Sequence, residues 1–404
     1  MSRILGIVVL MGLAAGVAPA DVLLTKSRNK VKINGLPDKV GEDEVTASNW
    51  RIFVPKSTGV ILEENYDSIV YKKNAKAKDS SAKTYALSDI AGYMMAPLQR
   101  DANLENGHGL LSTGNIAGAL RAFKEVLASE TARPVDKHEA NFQIGYTYAA
   151  SGRVKSAAAH FAKWNGGKSR WTPVAMRMLA EIQTASKKYG NARATYKRIG
   201  ELPSIPDDWK LKARAGLVKV DIAERKYKEA EKAAASIVKE ATKNPDAQAL
   251  ALGLQAQAIV VAQDEARYGE AETLLNRGLA LKDVSITQKA FLNVTLGDCL
   301  YSQRKLDEAR YPYMRVAELY TSERGYVGAA LLNAGNCFID LAGKALAQDN
   351  DQAAHDDLLI KGMKLIHDAG KRYSVGAARA VYRKNKPEYE AAKKRAGMAV
   401  EEKK

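Results

Sequence analysis

Five histidines, at positions 108, 138, 160, 355 and 367, are scattered along a chain of 404 residues. His138-Glu139 supplies the first two members of a helical metal motif that needs a second His one turn later. Phe142 stands at that place, so the ligand pair is never completed. His160 adjoins Phe161 on an expected packed helix and reads as an interior or boundary residue rather than a ligand. The sequence contains no glycine-rich phosphate loop, no nucleophile elbow and no paired-cysteine metal spacing. Catalysis requires polar groups that converge, and no such set is visible. The expectation is therefore a chain that is not an enzyme and that uses no metal and no cofactor, with a catalyst of unidentified type as the third reading.

The elements that would have to position any site begin after a leader. Arg3 gives a positive start, Ile4 to Val17 is apolar and uncharged, and Ala18-Pro19-Ala20 places small residues where a signal peptidase reads. Residues 1–20 are thus expected to be a signal peptide cleaved after Ala20. The apolar run is short for a membrane span of about 20 residues, and no later stretch is apolar enough to cross. The expected destination is the periplasm or the extracellular space, with no transmembrane segment in the mature chain. Composition agrees with a folded chain: 46% hydrophobic, 27% charged, 11 Pro and 2 Cys. The formal charge of +16 is a statement about solubility and encounter. Nucleic-acid binding is not expected, since no recognition motif accompanies the charge.

Residues 21–75 alternate with period two. Val22, Leu24, Val31 and Ile33 point one way about a turn at Ser27-Arg28-Asn29-Lys30. Val45-Thr46-Ala47 and Ile52-Phe53-Val54 flank a second turn, and Val60-Ile61-Leu62 and Ile69-Val70-Tyr71 follow. About five short strands in so few residues must curl to bury one face, which predicts a small, half-open β-barrel. It is loosely similar to the SH3-like and Sm-like barrels. A polar stretch over 76–84 reads as a linker, and from 85 to 370 the expected period is helical.

That helical stretch repeats. A turn followed five residues later by a small Ala recurs, with Ala119, Ala157, Ala192, Ala230, Ala271, Ala309 and Ala347 separated by 35 to 41 residues. An aromatic residue often follows four positions on, as at Phe123, Phe161, Tyr196 and Tyr313. Upstream, Ile144-Gly145 with Tyr148, Leu296-Gly297 with Leu300, and Ala334-Gly335 with Phe338 share one spacing. Helix axes that approach within about 8–10 Å need a small residue at the crossing, so Gly145 and the recurring Ala positions 157, 192, 230, 271 and 309 are assigned to repeat packing. The pattern resembles the tetratricopeptide repeat, with residues 142–161 carrying the fullest set. The fold class expected is mainly α: an α-solenoid of about seven helix pairs, preceded by the small β domain. Asp351 to His367 is expected to be a capping helix presenting Leu358, Leu359, Met363 and Ile366.

Cys299 and Cys337 occupy equivalent points of consecutive repeats. Neighbouring helices stand about 8–10 Å apart, whereas a disulfide needs Cα atoms closer than about 7 Å; two buried free thiols are expected. The resemblance further implies that the first helix of each pair lines a groove for a protein or peptide partner. Alignment places Tyr146, Arg177, Glu181, Lys212, Lys219, Asp298, Tyr301 and Asn336 there. The implied function is a protein-interaction scaffold of the bacterial cell envelope. The alternative is a surface-associating protein whose basic residues 371–404 meet an anionic lipid or wall polymer.

Overall fold

The structure is a computed structural model that describes residues 22–27, 30–34, 59–74, 76, 78–94, 100–373 and 375–398. The expected leader and the expected hairpin over residues 45–54 lie outside the described residues. Contact clustering divides the chain into two compact units, residues 1–216 and 217–404.

The first unit opens with β1 (Val22–Ser27), β2 (Lys30–Asn34), β3 (Val60–Glu64), β4 (Ser68–Lys72), β5 (Lys83–Ala86) and β6 (Ile90–Met94). They form two three-stranded antiparallel sheets, in the orders β2-β1-β6 and β3-β4-β5. In the second sheet Ile61 pairs with Tyr71 and Ile69 with Tyr85, with a bulge between Ile61 and Glu63. Ile61, Ile69, Tyr71 and Ile90 form its buried core. Gly59 is obligatory beneath Tyr71, because a Cβ there would overlap the phenol.

Two strands correct the sequence reading. β5 straddles the expected boundary between linker and helical stretch and β6 lies within that stretch, so among the described residues the α-helices begin at Ala102 rather than at 85. The reason is physical: β5 buries little besides part of Tyr85, its other three side chains being exposed. An alternation that short leaves no readable period.

Helices α1 (Ala102–Ser112), α2 (Ile116–Ala128), α3 (Pro134–Ala150), α4 (Val154–Ala162), α5 (Trp171–Ala185) and α6 (Tyr189–Gly200) complete the first unit with part of α7 (Asp207–Ala223). The second unit carries the rest of α7 and α8 (Tyr227–Glu240), α9 (Pro245–Val261), α10 (Tyr268–Ala280), α11 (Ile286–Ser302), α12 (Leu306–Leu319), α13 (Arg324–Asp349), α14 (Gln352–Arg372) and α15 (Gly376–Arg395). Their starts follow from local chemistry. Asp101, Asn115, Asn244, Ser285 and Asp351 each accept a hydrogen bond from a first-turn N–H, and Pro134 and Pro245 occupy first positions, where no N–H is missed.

Within each unit the marker alanines sit on the second helix of a pair and are fully buried: Ala119, Ala157, Ala192, Ala230, Ala271 and Ala309 are all 0% exposed. Facing them, Gly107, Gly145 and Gly297 lie under the rings of Phe123, Phe161 and Tyr313, where an added Cβ would come within 2.4, 2.5 and 2.5 Å. The glycine precedes its ring by sixteen residues each time. Ala347 is the exception and corrects the assignment of the seventh marker: α13 runs unbroken from Arg324 to Asp349, and Ala347 is exposed on it. The crossing of α13 and α14 is made instead by Gly335 and Gly362, where a Cβ on either would come within 2.8 and 2.7 Å of the other's carbonyl oxygen. Leu359, Met363 and Ile366 of α14 are buried, as the capping-helix reading expected.

The basic C-terminal stretch is a packed helix through Arg395. Ala378, Tyr389 and Ala392 of α15 are buried. Arg395 grips the Asp356 carboxylate of α14 through Nε and Nη2, at 2.7 and 2.8 Å.

Candidate functional site

In the first unit, the first-helix face of α3 and α5 carries an aromatic stack. Phe142 is buried and lies 4.4 Å from the Trp171 ring at 20°, and Tyr146 stacks near it at 6.3 Å and 25°. Tyr146 is 43% exposed, so an aromatic ring is presented to solvent beside a buried one. One turn apart on α5, Arg177 and Glu181 form an ion pair at 2.8 Å. On α7, Lys212 pairs with Asp208 at 3.0 Å and lies 5.0 Å from the centre of the Trp209 ring. Four of the aligned candidates, Tyr146, Arg177, Glu181 and Lys212, thus fall in the first unit, on three successive first helices.

A feature with no signal in the sequence fixes one end of this stack. The turn between β3 and β4 docks on the loop between α4 and α5. Tyr66 N–H donates to the Lys168 carbonyl at 3.0 Å and Arg170 N–H to the Glu64 carbonyl at 2.9 Å. Arg170 also bonds the Glu64 carboxylate, Lys168 pairs with Asp67 at 2.8 Å, and the Tyr66 hydroxyl donates to the Pro203 carbonyl at 2.8 Å. Trp171 follows directly on this clamped loop, with the Arg170 guanidinium 4.7 Å from its ring centre. The contact joins residues about a hundred positions apart through single charges, which no local pattern reveals.

In the second unit, the remaining candidates behave differently. Asp298 is not displayed: its carboxylate accepts from the Tyr313 hydroxyl at 2.6 Å and from Asn333 Nδ2 at 3.1 Å. Burial raises its pKa above the ordinary carboxylate value, although both hydrogen bonds pull it down. Burial and the adjacent Asp298 push the Tyr313 phenol well above its ordinary range. Tyr301 donates to Asp340 at 2.5 Å, and burial together with Asp340 raises its pKa to about 12. Asp298 and Tyr301 therefore tie α11 to α12 and α13. Lys219 and Asn336 are half-buried. Of the eight candidates, Tyr146 is the exposed one, and the other seven are half-buried.

Cys299 and Cys337 are free and buried. Burial pushes their thiols up to about 11 and about 12, so neither is a ready nucleophile. His160 packs edge-on against Phe161 and donates from Nε2 to the Asn141 carbonyl at 2.8 Å; burial lowers its pKa. His355, Asp356 and Glu388 place three ligand-type atoms within 4.8 Å of one another. Arg395 already bonds both of those carboxylates, so the group is an ion-pair network centred on a guanidinium.

Residues 104–167 match the family model of the tetratricopeptide repeat. The chain is also similar to a tetratricopeptide repeat protein from Parabacteroides merdae, at 13% identity over 70% of this chain and 96% of that chain, with a TM-score of 0.42. A second similar structure is the C-terminal part of a TPR repeat-containing protein from Cytophaga hutchinsonii, at 14% identity over 65% and 95% of the two chains and a TM-score of 0.33. The TPR domain of P58(IPK) is a third, at 14% identity over 70% and 96%, with a TM-score of 0.24. No curated protein matches the chain. The helices form a helical-repeat array, and the stretch that matches the tetratricopeptide repeat model runs from α1 into the loop after α4. Among the described residues, no helix is long and apolar enough to cross a membrane.

Proposed function

We propose that this chain is a non-catalytic interaction scaffold of the bacterial cell envelope, exported by its leader, that holds a protein or peptide on the first-helix face of its repeats. The observation that supports this most directly is the Phe142–Trp171 stack with Tyr146 exposed beside it. An aromatic ring already stacked before a partner arrives loses little entropy on binding and so can carry much of the affinity. The adjacent Arg177–Glu181 pair offers both signs of charge to a peptide backbone or side chain, and Lys212 extends the same row.

A photo-crosslinking residue placed at Tyr146 in cells should yield a discrete adduct with one envelope protein. The same residue at the exposed Leu319 of α12 should not. Absence of any adduct at positions 146, 177 and 212 would remove the assignment. Export is checked by N-terminal sequencing of the periplasmic fraction, where a chain beginning at Asp21 is expected. The rival reading draws on Arg383, Lys384, Lys386 and Lys394, all exposed on α15. It requires attachment to anionic vesicles that collapses with salt and with Lys384→Glu plus Lys386→Glu.

A further inference from the structure

A large share of the net positive charge lies between the end of α3 and the end of α6. Residues 150–200 contain eleven Lys and Arg and a single acid, Glu181, against 62 and 46 in the whole chain. Glu181 is taken by Arg177, and Lys168 and Arg170 are taken by Asp67 and Glu64 of the β3–β4 turn. Arg153, Lys155, Lys187 and Lys188 are exposed, and none of the four forms an ion pair among the described residues.

Two of these cations, Lys155 and Lys188, border a groove. A cavity of about 400 Å³ opens between α4, the end of α5 and the start of α6, with Ala158, Ala162, Leu179 and Ile182 in its wall and Lys155 and Lys188 at its edge. A second cavity of about 300 Å³ shares Ala162 and Leu179 and continues toward Trp164 and Arg198. The first of the two has the more apolar floor. It is not the face proposed above: at 100° per residue, Leu179, Ile182 and Ser186 lie on the side of α5 opposite Arg177 and Glu181.

We propose that this groove docks an acidic segment of a partner protein, its apolar side chains seated on the Ala158–Leu179–Ile182 floor and its carboxylates against Lys155 and Lys188. Complementarity selects that occupant. Two unpaired cations with no acid beside them at the rim repel a basic segment and draw an acidic one by long-range steering, while the floor rewards apolar side chains that desolvate it. A flat anionic membrane cannot enter a concave groove. A single-stranded nucleic acid would stack its bases on aromatic rings, and the lining of the first cavity, beside Lys155 and Lys188, carries none.

The probe is a short fluorescein-labelled peptide in which pairs of Glu alternate with pairs of Leu, titrated with the full-length mature chain and read by anisotropy. Saturable binding is expected, weakened roughly tenfold or more by Lys155→Glu plus Lys188→Glu, which removes the attraction. Ala159→Trp should weaken it comparably by filling the groove from an exposed position without touching the core. Tyr146→Ala should leave binding unchanged, which separates this surface from the first-helix face. The proposal is overturned if a Glu–Ser version of the peptide binds equally well, if both groove variants bind like the parent, or if single-stranded DNA or phosphatidylglycerol vesicles displace the peptide from the parent but not from Ala159→Trp.

Discussion

Gly145 shows what a single atom decides in this fold. A Cβ there would stand 2.5 Å from the Phe161 ring, itself 2% exposed and unable to move aside. Gly145→Ala should therefore cost about 1–3 kcal/mol by overpacking, as should Gly297→Ala beneath Tyr313. Gly190, in α6 with nothing within 4 Å of its would-be Cβ, is the internal control. Gly190→Ala should gain a few tenths of a kcal/mol from helix propensity. Thermal melts of the three variants decide the matter, and equal melting temperatures would refute the close-approach assignment. Asp298 yields a pH prediction at the same scale. Its folded-state pKa is raised by burial, so the folded chain holds this proton more tightly than the unfolded one. Stability from this group is complete below the unfolded value, near pH ~4, and falls as pH rises through the folded value. Asp298→Asn keeps an acceptor for Tyr313 and Asn333 and removes the titration. The variant's melting temperature should match the parent's in acid and exceed it at neutral pH; a variant less stable at every pH would contradict this.

The turn between paired helices is the element on which the repeat depends; before Ala119, Ala157, Ala192, Ala230 and Ala309 it uses one left-handed residue five positions ahead, whereas before Ala271 that residue is Gln263, eight positions ahead. Gly114 and Gly152 have φ of 82° and 76°, and Lys187, Arg225 and Arg304 take the same place at 59°, 64° and 60°. A side chain there costs about 1–2 kcal/mol, so Arg225→Gly should stabilise the chain by about 1 kcal/mol after the entropy of glycine is set against it. Gly152→Ala should destabilise it by a similar amount. Chemical denaturation with unchanged m-values would show that the turns alone are affected. This position was legible in the sequence at Gly114 and Gly152 because glycine advertises the conformation. At Lys187, Arg225 and Arg304 only the distance to the alanine revealed it. The same logic explains what was not legible. Gly107 under Phe123 was missed because no large residue and second-helix contact flagged it as they flagged Gly145. The seventh repeat was misplaced because Ala347 keeps the period by sequence alone, while α13 continues through the site of the expected turn. The docking of β3 and β4 on the α4–α5 loop could not be read at all, since Glu64, Asp67, Lys168 and Arg170 look like any solvated charges until they meet.

At the scale of the whole molecule, stability in stacked hairpins is a sum of repeat terms and nearest-neighbour contacts. The buried clusters reflect this: Leu104, Phe123 and Ile144 share one, and Phe142, Phe161 and Leu179 another, each joining adjacent pairs. Tyr313, Val316 and Ile366 belong to a cluster of the second unit. A lesion should therefore propagate with decreasing strength from repeat to repeat instead of lowering the protection of every amide together. Hydrogen exchange on Gly145→Ala tests this. Amides of α3 and α4 should exchange fastest relative to the parent, those of α2 and α5 less so, and those of α11 and α12 not measurably. Gly297→Ala should give the mirror result, with α11 and α12 loosened and α3 and α4 untouched. The two variants have chemically equivalent lesions, each a methyl driven into a ring at 2.5 Å, so any difference between their exchange maps reports position and not severity. A uniform rise in exchange over both units, in either variant, would mean that the chain melts as one cooperative body and that its repeats do not act as separable neighbours.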